Sequence, residues 1–196
     1  MSALVEETKN SKKLISVLII EANREMQRLL RAMLLAYDIR NVRIFANSEK
    51  AANSMLLEAP DIVLLDWEVN PIDGKGFLKL FRNKKMYPIC LVPIIVMFSE
   101  AKKNWVESAL KLGAHAIIVK PLAPLVLHER MKWALSEERQ LKLVGNSYVI
   151  DGANKRLAAE EEQKIQMKAA RKYQASQFAE MMSIQSDIDK ILEVNF

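Results

Sequence analysis

The first 135 residues alternate two hydrophobic rhythms. Short, nearly continuous apolar runs read as strands buried on both faces: Leu14–Ile20, Val42–Ala46, Asp61–Asp66, Pro93–Phe98 and His115–Val119. Between them the apolar residues recur at helical spacing. In Asn23–Tyr37 the stripe is Met26, Leu29, Leu30, Met33 and Leu34, and Asn23 can cap its start. Ser48–Glu58 reads as a second helix, closed off before Pro60. A turn at Asp73–Gly74 precedes a short helix carrying Phe77, Leu78, Leu80 and Phe81. Lys102–Leu112 ends at Gly113, a helix-stopping residue, and Leu122–Ser136 is the fifth helix. Five strand–helix units predict an α/β fold: a doubly wound, five-stranded parallel sheet with helices on both faces.

Past residue 136 the rhythm changes. Leu141–Ile150 (LKLVGNSYVI) has apolar residues on either side of Gly-Asn-Ser, so a small hairpin and an extended arm are both open. Arg156–Leu192 lacks Gly and Pro and reads as helix, with Phe178, Met181, Ile184, Ile188 and Ile191 on one face. Such a stripe needs a surface to pack on. Its own domain is one candidate; the other is a second copy of the chain, giving a homodimer through the tail helix. The expected organisation is an N-terminal arm over 1–13, the α/β domain over 14–137, a connector or small hairpin over 138–157, and a helical tail over 158–196.

Composition narrows the function classes. Of 196 residues, 51 % are apolar, enough for a core, and no apolar run approaches the roughly 18 residues of a membrane span. The start, MSALVEETKN, has no basic segment followed by an apolar one, so no signal peptide is expected and a cytoplasmic location is. A single cysteine, Cys90, excludes an internal disulfide framework, and only two histidines argue against a zinc cluster. Cys90 reads as a small buried hydrophobe. The net charge of +5 lies in the α/β part, because residues 151–196 carry seven basic and eight acidic side chains. No basic stripe interleaved with aromatics points to nucleic acid, and a long helical tail leaves no helix-turn-helix, so DNA is not an expected partner.

In open α/β sheets the functional crevice lies at the carboxyl ends of the strands. Glu21, Asp66 and Lys120 end the first, third and fifth strands, with Pro121 following the lysine. Two carboxylates and a lysine around one crevice could hold Mg²⁺, a hard cation that takes oxygen ligands. A carboxylate there can also act as a nucleophile and form an acyl phosphate. LISVLIIEANREMQRLLRAML, DIVLLDWEVNPIDGKGFLKLFR, VPIIVMFSEAKK and AHAIIVKPL, in this order and spacing, resemble the receiver domain of bacterial two-component response regulators, similar to the chemotaxis receiver. The resemblance covers residues 14–135. It implies a flavodoxin-like sheet of order 2-1-3-4-5, Asp66 as phosphoacceptor, Lys120 in contact with the phosphoryl group, and a cis bond before Pro121. It also implies a metal site using Glu21, Asp66 and the backbone carbonyl of Glu68. More loosely, LKLVGNSYVIDG resembles the Tyr-containing tail of single-domain receivers from alphaproteobacteria.

The departures from the family pattern fall in the site. Receivers end the first strand with two adjacent acids, the second a direct metal ligand; here the pair is Glu21-Ala22. Weak Mg²⁺ binding is therefore expected. Phe98 stands where receivers carry Thr or Ser, so no hydroxyl meets the phosphoryl group, and a bulky ring bears on the pocket. Ser99 substitutes only if the chain has already turned there. The aromatic that normally toggles with that hydroxyl is replaced by Ile117. Trp67 and Trp105 read as packing or interface residues.

Two functions stay open. One is a signalling receiver that takes a phosphoryl group on Asp66 from a histidine kinase or phosphotransfer protein and acts on an unknown downstream protein. Its only catalysis would be Mg²⁺-dependent self-phosphorylation and autodephosphorylation. The other is a degenerate pseudo-receiver, a phosphorylation-independent interaction or dimerisation module. A flavodoxin-like nucleotide binder is set aside, because the first loop, Glu21–Arg24, has no glycine to cradle a phosphate.

Overall fold

A computed structural model describes residues 15–136 and 141–150. The chain runs β1 (Ser16–Ile20), α1 (Arg24–Ala36), β2 (Asn41–Phe45), α2 (Ser48–Leu57), β3 (Ile62–Asp66), α3 (Gly74–Phe81), β4 (Ile94–Phe98), α4 (Lys103–Lys111), β5 (Ala116–Val119), α5 (Pro124–Leu135), β6 (Leu141–Val144) and β7 (Ser147–Ile150). Strands β1 to β5 form one parallel sheet of order 2-1-3-4-5. The fold is the flavodoxin-like one expected.

Alternation along each strand sorts the core into two layers. Val17, Ile19, Ile62, Leu64, Ile95 and Met97 face one side, where Leu30, Met33 and Leu34 of α1 and Leu127 and Met131 of α5 cover them. Leu18, Ile20, Val63, Leu65, Ile94 and Val96 face the other, against α2, α3 and α4 through Met55, Phe77, Phe81 and Ala109. Strands β1, β3 and β4 are buried at every position, which is why they read as unbroken apolar runs.

Helix starts follow the capping residues. Asn23 Oδ1 accepts from the Glu25 and Met26 N–H groups, Asn47 from Lys50 and Asp73 from Gly76. The last of these corrects the turn expected at Asp73–Gly74: Asp73 is an N-cap and Gly74 opens α3. Glycine is required there, because a Cβ would lie 2.8 Å from Trp67 Cε3 and 2.9 Å from Trp67 Cα. Two 3-10 turns, Lys84–Met86 and Ile89–Leu91, fill the connection to β4 and have no periodic signature in the sequence.

Of the hairpin and arm alternatives, the hairpin forms. β6 and β7 pair antiparallel around Gly145, whose φ of +62° suits the first central position of a tight hairpin turn. It docks at the end of α3: Tyr148 N–H donates to the Arg82 carbonyl at 2.7 Å, and Lys84 N–H to the Asn146 carbonyl at 2.9 Å. No helix among the described residues is long and apolar enough to cross a membrane. The expected tail helix and its apolar stripe lie outside the described residues.

Candidate functional site

Because all five strands of the main sheet are parallel, their carboxyl ends share one edge. β1 ends at Ile20, β3 at Asp66 and β5 at Val119, so Glu21, Asp66 and Lys120 meet there. Lys120 Nζ donates to Glu21 Oε2 at 2.6 Å and to Asp66 Oδ1 at 2.9 Å. Glu21 is 2 % exposed and Asp66 5 %. The second Glu21 oxygen, Oε1, accepts from the Asn23 N–H at 3.0 Å. The Glu21 carbonyl in turn accepts from the Gln27 side-chain amide at 2.6 Å, one turn into α1. The Lys120–Pro121 bond is cis, as are Asn70–Pro71 and Tyr87–Pro88.

One ammonium thus serves two buried carboxylates. Burial raises the Asp66 pKa, the Glu21 charge adds to that, and the Lys120 bond opposes it without cancelling it. Burial also works against the Lys120 charge, but the two carboxylates outweigh it and its pKa is raised. The lysine stays charged, and Asp66 holds a proton more readily than an ordinary aspartate.

The same geometry tests the site for Mg²⁺. Ala22 is exposed and presents only a methyl group. Both Glu21 oxygens are engaged, and so is Asp66 Oδ1. The Glu68 side chain is exposed. Among the described residues, no three Asp, Glu, His or Cys side chains converge as a metal-holding group. Mg²⁺ wants six oxygens in near-ideal octahedral geometry. As arranged, these residues do not fit that requirement.

Phe98 does more than remove a hydroxyl. It is fully buried and packs against Trp67, with ring centroids 5.1 Å apart at 50°. Trp105 of α4 stacks on Phe98 at 6.2 Å and 24°, and lies 6.4 Å from Trp67. Ile117 packs in the same layer. A hydrocarbon and aromatic cluster therefore fills this side of the sheet beside the end of β4. Ser99 is exposed in the bend after β4, with no hydrogen bond to Asp66 among the described residues. Cys90 is fully buried, and its thiol is pushed up by that burial.

Glu21, Asp66 and Lys120, the candidates named from the sequence, lie in contact, and Gln27 and Asn23 join them as unanticipated supports of Glu21. Only their position at the start of α1, beside the end of β1, hints at them.

Residues 17–132 match the family model for the response regulator receiver domain. A chemotaxis protein CheY homolog of Campylobacter jejuni is 29 % identical over 120 residues, 60 % of this chain and 90 % of its own. A protein-glutamate methylesterase/protein-glutamine glutaminase of Myxococcus xanthus is 34 % identical over 116 residues, 59 % of this chain but 32 % of the enzyme. The shared part is thus about a third of that enzyme's length. Among solved structures, a response regulator of Chloroflexus aurantiacus superposes with a TM-score of 0.58 at 24 % identity, covering 63 % of this chain and 98 % of its own. The receiver domain of a Pseudomonas aeruginosa sensor histidine kinase, with magnesium in its active-site cleft, does so at 0.56 and 25 %, covering 62 % and 98 %. The chain belongs to the response regulator receiver family, the domain of two-component signalling.

Proposed function

We propose that this receiver works chiefly as a protein–protein interaction module whose pocket is held closed by its own lysine. The observation that carries this reading is the Lys120 bridge, 2.6 Å to Glu21 and 2.9 Å to Asp66, in a site with Ala22 and Phe98 at two family positions. In a receiver that switches, an incoming phosphoryl group needs its charge drawn off and a hydroxyl to hold it in place. Here the internal ammonium bridges both carboxylates and offsets one of their two charges, the metal ligand is a methyl group, and the hydroxyl is a buried ring. The protein is on this reading not an enzyme. Its partners are the proteins that receivers engage, on the kinase or phosphotransfer side and on the downstream side.

A second reading has its own support. Asp66 and Lys120 keep the nucleophile and the cation that phosphoryl transfer to an aspartate uses. On that reading Asp66 accepts a phosphoryl group slowly, and Mg²⁺ acts only at high concentration.

One experiment separates the two. The chain is incubated with acetyl phosphate and millimolar Mg²⁺, and intact-protein mass spectrometry looks for the phosphoryl adduct. The expected result is no adduct on the natural sequence and clear labelling of Ala22→Asp/Phe98→Thr, which restores ligand and hydroxyl together. Asp66→Asn in that background should abolish it. Rapid labelling of the natural sequence would overturn the closed-pocket reading.

A further inference from the structure

Beside the Asp66 pocket, and separate from it, a cleft of about 530 Å³ opens between the β3–α3 connection and α4. Its walls include Trp67, Glu68, Asn70 and Asp73 on one side, Asn104 and Trp105 on the other. This size and mixture, aromatic surface with a few convergent polar groups, is that of a binding site. Phe77 of α3 and Ala109 of α4 belong to the buried layer on this side of the sheet.

Several polar groups of the cleft keep hydrogen-bonding capacity unused among the described residues. Trp67 is 7 % exposed, yet its indole N–H meets no acceptor among the described residues. That N–H is also not sealed in: the fully buried, unpartnered side-chain atoms are Ser16 Oγ and Arg43 Nε. It therefore keeps some contact with solvent. Glu68 is exposed and makes no ion pair among the described residues. Asp73 uses Oδ1 to cap α3, leaving Oδ2 free. One lysine, Lys75, faces these two carboxylates, so the lining is net negative in a protein of net charge +5.

The Trp105 ring already meets a cation: Lys102 Nζ, ion-paired with Glu100 at 3.1 Å, also sits 4.2 Å from its centroid. An ammonium over an indole is held by the negative face of the ring, and a flat guanidinium suits that face better. We infer that the cleft receives an arginine side chain from a partner protein. The guanidinium displaces Lys102 over Trp105 and pairs with Glu68, and a backbone carbonyl beside the arginine accepts the Trp67 indole N–H. Nothing in this contact needs a phosphoryl group on Asp66, so it goes beyond the closed-pocket reading and does not depend on it.

The test uses the full chain, ¹⁵N-labelled, titrated with acetyl-Gly-Arg-Gly-amide and followed through the three indole N–H signals. The Trp67 and Trp105 signals should shift saturably, while that of Trp133, which lies outside the cleft, stays in place. Glu68→Gln, a change on an exposed side chain, should raise Kd about fivefold. Lys102→Ala, also exposed, should lower Kd by removing the competing cation. Trp105→Leu should abolish the shift of Trp67, with the remaining spectrum showing that the fold persists. Equal shifts with the citrulline peptide, which keeps the shape without the charge, would overturn the inference. So would shifts with a glutamate peptide or with adenosine monophosphate in place of arginine, or no shift at all. The acetyl phosphate experiment cannot decide this one, since Asp66 can fail to label while the titration succeeds.

Discussion

Each end of the sheet buries a basic side chain, and the two ends satisfy it in opposite ways. At the carboxyl ends of the strands, Lys120 lies between two carboxylates. At the amino ends of β4 and β5, Arg82 meets no carboxylate among the described residues. It is 1 % exposed, and its guanidinium donates to neutral acceptors: Gly113 O at 2.9 Å, Cys90 O at 2.7 Å, Val92 O at 3.0 Å and His115 Nδ1 at 3.2 Å. Burial pushes its pKa down to about 9. The planar fork suits this task because its donors point in fixed directions at four acceptors on two chain segments. Its own carbonyl then holds the hairpin through Tyr148. At the lysine end the cation is met by carboxylates, and at the arginine end by backbone carbonyls and an imidazole nitrogen. Opposed charge that can still be rearranged marks the end where a ligand could act. A cation fixed by backbone carbonyls marks the end that sets the frame.

The sharpest way to break this comparison is at Arg82. Arg82→Met should cost about 3–5 kcal/mol, because the carbonyls of Gly113, Cys90 and Val92 lose their guanidinium donor in a buried site. Arg82→Lys should recover less than half, since one ammonium cannot span Gly113, Cys90 and Val92 together. Urea unfolding at neutral pH measures both. An Arg82→Lys chain as stable as the natural one would show that charge, and not the fork, is what this end requires.

Next in size is Lys120→Met. It leaves Glu21 and Asp66 buried without their cation, and should cost about 3 kcal/mol at pH 7. Part of that loss should return in mildly acidic solution, where Asp66, whose pKa is already raised, takes up a proton and ends the repulsion. A cost that stays constant with pH would mean that the two carboxylates do not interact.

These two ends differ in how much of them can be read from the chain. Glu21, Asp66 and Lys120 are legible because each follows an apolar run, and parallel strands bring such positions to one edge. The fold is legible for the same reason. Arg82 is not: after Phe77–Phe81 a lone arginine reads as a solvated helix end. Its acceptors lie 8 to 33 residues away along the chain, so no local spacing announces them. The Asp73–Gly74 pair signals a turn or a helix start equally well, and only the approach of Trp67 decides between them. The loss of the hydroxyl at Phe98 can be read from one position. Its aromatic neighbours cannot, because Trp67 and Trp105 belong to separate elements that meet only in the folded layer.

The smallest expected effect has the opposite sign. Asp66→Asn should stabilise the protein at pH 7 by about 1 kcal/mol or less. The folded Asp66 pKa is raised, so its charged form is disfavoured in the fold relative to the unfolded chain. That penalty is fully present above the folded pKa and absent below the ordinary carboxylate range, where Asp66 is neutral in both states. Asparagine removes the charge and keeps an oxygen for Lys120, which remains paired with Glu21. The gain in Tm should therefore be present at pH 7 and shrink as the pH falls towards 3.5. Calorimetry of the two chains across that range is the measurement. A less stable Asp66→Asn chain at pH 7 would show the Asp66–Lys120 contact to be a net contributor, and the carboxyl end would then resemble the arginine end after all.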